Sequence, residues 1–370
     1  MTRDASIRAT ALFIVVVSAV IVIAAGFHRD LDSSFFVKLL FDDAREFAHA
    51  GTITSQFMPI GYSGFLGSCL KVGGAAGIPP CQAFLYVGVL FSAFWFLALR
   101  GARGALLTIG VLAIILHPVL ILNVWRIHDG NLTALLLLGF TATGIAFLRS
   151  RSTWSILALG VYSGLLFTVR QNTALLLPLA LFLLYQGDPE RGKKYASRAA
   201  IFLVSAAVSI ATVSGAIKGT PFYVGGQGPY NFFAGSNEYT AQYLLSNYSA
   251  ENSLGNALAA RGFSSAQTFS SWLSFPKATY QRLAIEYLTH HPIEYAKLAA
   301  LKLVTLLRPG YHTVQNFTWN SLEGLKRFSK IVLAAPFFVW VFFVYRTRKR
   351  FFEPGNLFVF LVAILYLLPF

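Results

Sequence analysis

The sequence has few charged residues, and acidic ones are the rarest. Only 12% of its 370 residues are charged and 56% are hydrophobic, while 15 Asp and Glu face 30 Lys and Arg. A soluble protein of this length needs a far more charged surface, so the composition excludes an ordinary water-soluble globule. The chain is therefore predicted to be a membrane protein.

Cysteine is also scarce, since the chain has only Cys69 and Cys81. An oxidising compartment could join them, but a pair of small buried thiols is the favoured interpretation. No spacing of His, Asp and Glu demands a metal, and no basic run alternates with base-stacking aromatic residues. We expect no required cofactor, although a divalent metal stays open, and no nucleic-acid partner.

Apolar stretches recur along the chain and predict about nine membrane-spanning helices. They cover residues 9–26, 80–99, 104–122, 131–148, 153–169, 173–186, 199–217, 330–345 and 357–370. Two of them, 173–186 and 357–370, are shorter than the roughly 20 residues that a straight span needs. The predicted fold class is all-α, a polytopic transmembrane helical bundle.

Basic residues cluster in alternate short loops, which predicts the orientation. They are Arg3, Arg8, Arg100, Arg103, Arg149, Arg151, Arg191, Lys193, Lys194, Arg198, Arg346, Arg348, Lys349 and Arg350. Because Lys and Arg resist translocation, these loops and the N-terminus are predicted to be cytoplasmic. The expected location is the cell inner (cytoplasmic) membrane, with the long loops on the periplasmic or exoplasmic side.

Two long segments between spans divide the chain into three predicted parts. These are an N-terminal transmembrane module at 1–217 with a first outer loop at 27–79, an outer-side loop region at 218–329, and C-terminal transmembrane helices at 330–370. The first loop predicts an interfacial helix around Phe35–Phe47 and a second helix to about Lys71. The second loop predicts two amphipathic helices that meet at Pro292. The chain stops inside an apolar run, which indicates a short protein or a C-terminal truncation.

The adjacent Asp42 and Asp43 on the first loop are the first candidates for chemistry, because ionisable groups near a membrane are costly. Adjacent helical residues point about 100° apart, so only one can face a cleft while the other meets solvent or Arg45. A carboxylate held in that cleft could accept a proton from a hydroxyl as a general base. The alternative is a solvated pair on an interfacial helix, which composition alone favours.

Two further sets of ionisable residues fall in short outer loops. Arg126, His128 and Asp129 lie together between spans three and four, although capping of span four by Asp129 is a sufficient alternative. Arg170 lies between spans five and six, where the positive-inside rule disfavours it. Its planar fork could grip a lipid-linked phosphate, and snorkelling toward lipid headgroups is an equal alternative.

The order of these parts resembles the GT-C superfamily of membrane glycosyltransferases, particularly the aminoarabinose (lipid A) transferases and protein O-mannosyltransferases. The matching elements, nearly spanning the chain, are the acidic pair Asp42-Asp43, the break Met58-Pro59-Ile60-Gly61-Tyr62, the second-loop acid Asp129, Arg170 before a Leu-rich helix, and His291-Pro292. The departures are Ser63 and Gln171 where the family favours Pro, and His-Asp-Gly where Ser-Glu is commoner.

The resemblance implies an inverting glycosyltransferase that moves a sugar from a polyprenyl-phosphate donor to a hydroxyl on a lipid, glycan or protein. Asp42 would be the general base, with Asp43 close behind, and Asp129 would orient the acceptor or assist the base. Further roles are implied for donor-phosphate binding by Arg170 and Arg126, and for substrate contacts by Tyr62, His128 and Glu238.

Two other functions stay open at this stage. A membrane transporter or lipid flippase of cell-envelope biogenesis would place polar groups near the bilayer midplane and use broken helices in two related halves, of which the sequence has little. A non-catalytic scaffold would tolerate replacement of the Asp residues. The sequence does not indicate which sugar or acceptor an enzyme of this kind would use.

Overall fold

The computed structural model describes residues 35–55, 58–99, 104–115, 123–124, 127–187, 194–223, 227–246, 250–263, 277–307 and 353–367, with isolated positions at 13, 14, 16, 17, 20, 120, 192 and 225. Every regular element in these ranges is a helix, as predicted. The chain divides into two compact units, Met1–Val224 with Ala335–Tyr366 and Gly225–Ala334 with Leu367–Phe370.

The first unit contains most of the apolar helices. In chain order they are α1 (Phe35–Ala50), α2 (Ile60–Gly73), a 3-10 turn (Ala75–Gly77), α3 (Ile78–Leu99), α4 (Gly104–Ile115), α5 (Gly130–Ser150), α6 (Thr153–Val169), a second 3-10 turn (Gln171–Leu175), α7 (Leu176–Gln186), α8 (Tyr195–Lys218) and α14 (Pro354–Leu367). The two helices predicted for the first long loop, α1 and α2, are confirmed.

Three helices in the described ranges are long and apolar enough to cross a membrane, at Ala75–Leu97, Gly130–Ser150 and Tyr195–Lys218, and they make the chain a membrane protein. The apolar helix α6 is shorter, with 17 residues. The count of about nine spans is not confirmed, because α4, α7 and α14 have only 12, 11 and 14 residues. Apart from a few positions in 9–26, the predicted spans 9–26 and 330–345 lie outside the described residues.

Small residues let α6 and α8 pack closely in parallel. A Cβ on Gly160 would lie 1.9 Å from Ser205 Oγ, and one on Gly164 would lie 2.5 Å from the carbonyl oxygen of Ala206. Close approach at small residues is a general way to pack helices in lipid, where no hydrophobic effect drives the helices together. The parallel pairing brings the carboxyl ends of both helices to the same end of the first unit.

The first unit has two chemically different ends. The basic end, at the α5–α6 turn and the start of α8, has Arg149, Arg151, Lys194 and Arg198. The opposite end, which we call the site end, is formed by the start of α5, the carboxyl ends of α6 and α8, and the first turn of α2. A Cβ on Gly61 of that turn would lie 2.7 Å from Thr168 Oγ1 of α6, and one on Gly64 would lie 2.3 Å from Ile217 Cδ1 of α8.

The second unit consists of shorter helices, α9 (Gln227–Ala234), α10 (Thr240–Ser246), α11 (Ala250–Ala259), α12 (Lys277–His290) and α13 (Pro292–Leu307). The prediction of two helices that meet at Pro292 is confirmed by α12 and α13. Tyr280 of α12 packs edge-on against Tyr230 of α9, with 5.6 Å between the ring centroids. Leu244, Tyr287 and Leu298 form a small core of α10, α12 and α13.

Candidate functional site

The neighbouring residues Asp42 and Asp43 occupy opposite environments on α1. Asp43 is 6% exposed, whereas Asp42 lies on the exposed face of the helix. Arg45 is also exposed, and its guanidinium stacks 4.3 Å above the ring centroid of Phe41. The expectation that only one carboxylate of the pair faces inward is confirmed. Burial therefore singles out Asp43 and not Asp42, the residue preferred from the sequence, as the carboxylate with a tuned environment.

The segment 51–55, which follows α1, contacts Asp43 through Ser55, and we call it the strap. The strap is fastened to α1, because the backbone N–H of Thr54 donates to Glu46 Oε1 at 2.9 Å. It is fastened to α8 as well, because the N–H of Ile53 donates to the carbonyl oxygen of Ile217 at 2.9 Å. The Ser55 hydroxyl at its end donates to the Asp43 carboxylate.

Lys218, the last residue of α8, is the cation that faces this carboxylate. Its ammonium donates to the carbonyl oxygen of Ser55 and lies 4.6 Å from the ring centroid of Tyr223. Burial raises the pKa of Asp43 to about 6, while the Ser55 hydrogen bond and the charge of Lys218 hold the pKa down. A carboxyl with a pKa near neutrality is well matched to accept and return protons.

Asp129 and Arg170 form a two-pronged ion pair at the site end. Arg170 Nη2 donates to Asp129 Oδ1 at 2.9 Å, and Arg170 Nε donates to Asp129 Oδ2. Both side chains are 18% exposed. Burial alone would raise the pKa of Asp129, but the charge and hydrogen bonds of Arg170 outweigh burial and lower it. The carboxylate therefore stays ionised as half of a neutral pair.

This pair overturns both simpler interpretations of its members. Asp129 stands at the N-cap of α5, but its side chain makes no capping hydrogen bond. Arg170 does not snorkel away from the bundle, because both oxygens of Asp129 hold its guanidinium. Arg170 is placed for the contact because it ends α6 in an extended conformation, at φ −143° and ψ 109°.

His128 lies beside the ion pair, with its Nδ1 3.3 Å from Asp129 Oδ1. The same Nδ1 lies 2.9 Å from the backbone nitrogen of Gly130, whose N–H donates to it when this ring nitrogen is unprotonated. The side chain is 47% exposed. Of the residues predicted to contact substrate, His128 is thus the one at the site end that solvent reaches.

Tyr62 lies beneath the surface of the site end. It is 1% exposed, and its hydroxyl accepts a hydrogen bond from the side-chain amide of Gln82, which is 0% exposed. Burial, together with the charge of Asp129, raises the pKa of Tyr62 well above its ordinary value. The ring packs inside the bundle and joins α2 to α3, so its burial does not support the predicted substrate contact, which stays a prediction.

Buried polar atoms without a hydrogen-bond partner in the described part of the chain gather at this end. They include Ser63 Oγ in the first turn of α2, Asn123 Nδ2, and Asn131 Oδ1 and Thr133 Oγ1 in the first turn of α5. Native proteins leave few such atoms, and each requires an explanation such as strain, bound water or function. Their concentration marks the site end as the polar part of an otherwise apolar bundle.

Two further predicted site residues are Arg126 and Glu238. Arg126 lies outside the described residues. Glu238 belongs to the second unit, where Arg261 Nη1 donates to its Oε1 at 2.6 Å and Arg261 Nη2 donates to its Oε2 at 3.1 Å. That pair satisfies the Glu238 carboxylate within its own unit and favours a structural role over the predicted substrate contact.

Sequence reasoning missed three residues of the site end, namely Ser55, Gln82 and Lys218. Lys218 had a usable signal, because a lysine at the predicted outer end of a span violates the positive-inside rule just as Arg170 does. Ser55 and Gln82 had none, since an uncharged polar residue in a loop or helix is ordinary.

Within the described ranges there is no cluster of three or more His, Cys, Asp or Glu side chains that could hold a metal. Cys69 and Cys81 are both free thiols, but the favoured pair of buried thiols holds only for Cys69, because Cys81 is half-buried. Comparisons with protein-family models, curated proteins and solved structures give no match to this chain. The resemblance to the GT-C superfamily thus stays a prediction.

Proposed function

We propose that the protein is an inverting membrane glycosyltransferase that moves a sugar from a polyprenyl-phosphate donor to a hydroxyl acceptor, with Asp43 as the general base. The observation that carries the proposal is the environment of Asp43. This carboxylate is buried, it is held by one hydroxyl donor and faced by one lysine, and its pKa is raised to about 6. It replaces Asp42, which lies on the exposed face of the same helix.

In this reaction Asp43 accepts the proton of the acceptor hydroxyl while the oxygen attacks the anomeric carbon of the donor sugar. The bond from that carbon to the phosphate oxygen breaks, and polyprenyl phosphate leaves with the bonding electrons. A single displacement of this kind inverts the anomeric configuration. The leaving group is already an activated phosphate, so the chemistry has no inherent need for a metal.

The proposed role of the Asp129–Arg170 pair is to hold the site together. Each charge of the pair is neutralised by the other, so neither a second base nor a phosphate clamp is the function that its geometry favours. The pair connects the start of α5 to the end of α6, next to the turn of α2 at Gly61 that packs on Thr168. It thereby fixes the surface on which the first turn of α2 packs.

The proposed orientation places the site end on the periplasmic or exoplasmic side of the inner membrane and the N-terminus in the cytoplasm. It is supported by the four basic residues Arg149, Arg151, Lys194 and Arg198 at the opposite end, since such residues favour the cytoplasmic side. Two exposed tryptophans, Trp95 and Trp154, lie near the ends of α3 and α6 that approach this basic end, as expected at a membrane interface.

The test is sugar transfer by the full chain in reconstituted membranes, from labelled polyprenyl-phosphate sugars to a cell-envelope extract. Asp43→Asn should lower transfer by about 10²–10⁴-fold, the range for loss of a general base. Asp42→Asn is the matched control and should stay within a few-fold of the unchanged protein. Equal activity in Asp43→Asn would remove the mechanism. Absence of transfer by the unchanged protein with every donor would instead favour a transporter or flippase, to be tested by lipid movement across the same vesicles.

A further inference from the structure

The strap connects α1 to α8 and brings the Ser55 hydroxyl to Asp43. Its two backbone fastenings are Thr54 N–H to Glu46 on α1 and Ile53 N–H to the Ile217 carbonyl on α8. The third fastening is the ammonium of Lys218, which donates to the carbonyl oxygen of Ser55. Ser55 therefore has its carbonyl held by Lys218 while its hydroxyl is held by Asp43.

We propose that Lys218 is a positioning residue for Asp43, acting both through the strap, by fixing Ser55, and directly, by placing a positive charge beside the carboxylate. The inference rests on the proposed function, because it names what keeps the proposed base oriented and ionised. Lys218 acts on the base and not on substrate, so its loss should change the ionisation of Asp43 and leave the chemistry available at higher pH.

Among the described residues that act on Asp43, Lys218 is the cation. On α1 itself Asp42 and Glu46 repel the negative charge of Asp43 and raise its pKa. The strap contributes the Ser55 hydroxyl, and the segment after α8 contributes Tyr223, whose own pKa is raised by burial and by the charge of Asp43. Helix α2 packs on α1 through Gly67, where a Cβ would lie 2.6 Å from Phe47 Cδ1 and 2.8 Å from the Ala44 carbonyl oxygen. That contact adds no charge.

Lys218 is itself held in one place, which a positioning role requires. The following residue, Gly219, has a φ of 69° and turns the chain at the end of α8. The chain then returns so that the Tyr223 N–H donates to Ser214 Oγ at 3.3 Å and the Tyr223 ring lies under the ammonium. A cation over an aromatic ring with a backbone acceptor has a fixed location.

The experiment measures Asp43 directly as well as through activity. The protonated carboxyl is followed by infrared absorbance across pH in the full chain in detergent, with the spectrum of Asp43→Asn subtracted, and the acid limb of the transfer rate is measured in parallel. The variants are Lys218→Met, which keeps the apolar stem, and Lys218→Arg, which keeps a charged donor. Lys71→Met, on the exposed end of α2, is the matched control.

Lys218→Met should move both midpoints to higher pH by about one unit, the size of effect that a nearby opposite charge has on a carboxyl. Lys218→Arg should restore them, and Lys71→Met should leave them unchanged. An infrared midpoint that stays in place in a folded Lys218→Met would overturn the inference, as would a rate lowered equally at every pH. If the unchanged protein transfers no sugar, the proposed function fails, and the infrared midpoint alone decides whether Lys218 controls Asp43.

Discussion

Asp43 and Asp129 lie at the same end of the first unit, and their surroundings shift their ionisation in opposite directions. Asp43 is buried beside one hydroxyl and one lysine, and its pKa is raised to about 6. Both oxygens of Asp129 accept hydrogen bonds from Arg170, and the pKa of Asp129 is lowered. Pairs of titratable groups whose pKa values are pushed apart are typical of acid–base sites. The difference separates a carboxylate that can exchange protons from one that holds structure.

The opposite pKa shifts of Asp43 and Asp129 follow from how Lys218 and Arg170 contact them. The guanidinium of Arg170 presents a rigid fork that matches the two oxygens of Asp129, so its charge and its donors go to the same carboxylate. The ammonium of Lys218 gives a hydrogen bond to the Ser55 carbonyl and lies over Tyr223, so it reaches Asp43 mainly through its charge. At Asp43, therefore, the charge of Lys218 offsets only part of the increase in pKa that burial causes.

The largest expected effect comes from breaking the structural pair. Asp129→Ala should lower the free energy of unfolding in detergent by about 3 kcal/mol at neutral pH, because it leaves the Arg170 charge partly buried and unpaired. The folded pKa of Asp129 is lowered, so its stabilisation is present above the ordinary 3.8 and is lost as the pH falls through the folded value. The loss of stability should therefore shrink in acid, which an unfolding series across pH would measure.

A double variant tests whether the pair itself is responsible. Asp129→Leu with Arg170→Met removes both charges and should recover much of the stability that either single change loses. Asp42→Ala, on the exposed face of α1, is the control and should change stability by less than about 0.5 kcal/mol. Additive losses in the double variant would mean that the two residues act independently and would contradict the comparison.

A comparable effect of the opposite sign is expected at Asp43. Its folded pKa is above the ordinary 3.8, so the ionised form is penalised by folding and stability falls as the pH rises from about 3 toward 6. Asp43→Asn keeps an acceptor for Ser55 and removes the charge, and it should raise the unfolding free energy by up to about 3 kcal/mol at pH 7.5, about 1.4 kcal/mol for each pKa unit between 3.8 and about 6. The gain should vanish below about pH 3, where the carboxyl is protonated in both the folded and the unfolded state.

The two Asp43 measurements together separate function from structure. An Asp43→Asn protein that is more stable but inactive would show that Asp43 serves catalysis and lowers the stability of the fold. An Asp43→Asn protein that is less stable at pH 7.5 would mean that the carboxylate holds α1 in place, as Asp129 holds α5, and the contrast between the regions would disappear.

The sequence predicted the helices better than it predicted the site. Apolar runs such as those in α5, α6 and α8 have a length and composition that only a helix in lipid satisfies, so their ends were found to within a few residues. The number of spans was less certain, because α7 and α14 are apolar without being long, and composition cannot tell a short buried helix from a span.

The site depended on contacts that the sequence does not encode locally. The sequence of α1 alone could not decide which of Asp42 and Asp43 is buried, because the strap and α8 determine which face of the helix is covered. The pairing of Asp129 with Arg170 joins residues 41 positions apart, and each had a plausible local role as a cap or as a snorkelling side chain. A substrate contact was likewise predicted for Glu238 because it is a charged residue in the second loop. Its partner Arg261 became evident only from the fold.

The smallest of these effects concerns Tyr62, which lies close to Asp129. Tyr62→Phe removes the acceptor of the Gln82 amide and should cost about 1 kcal/mol of unfolding free energy, the usual net value of one buried hydrogen bond. Combining it with Gln82→Leu should recover part of that loss, because both partners are then apolar. Since the ring is 1% exposed, sugar transfer by folded Tyr62→Phe should stay within a few-fold of the unchanged protein. A loss of activity comparable to that of Asp43→Asn, with stability unchanged, would instead mean that substrate reaches this hydroxyl and that the site end opens further than its packing indicates.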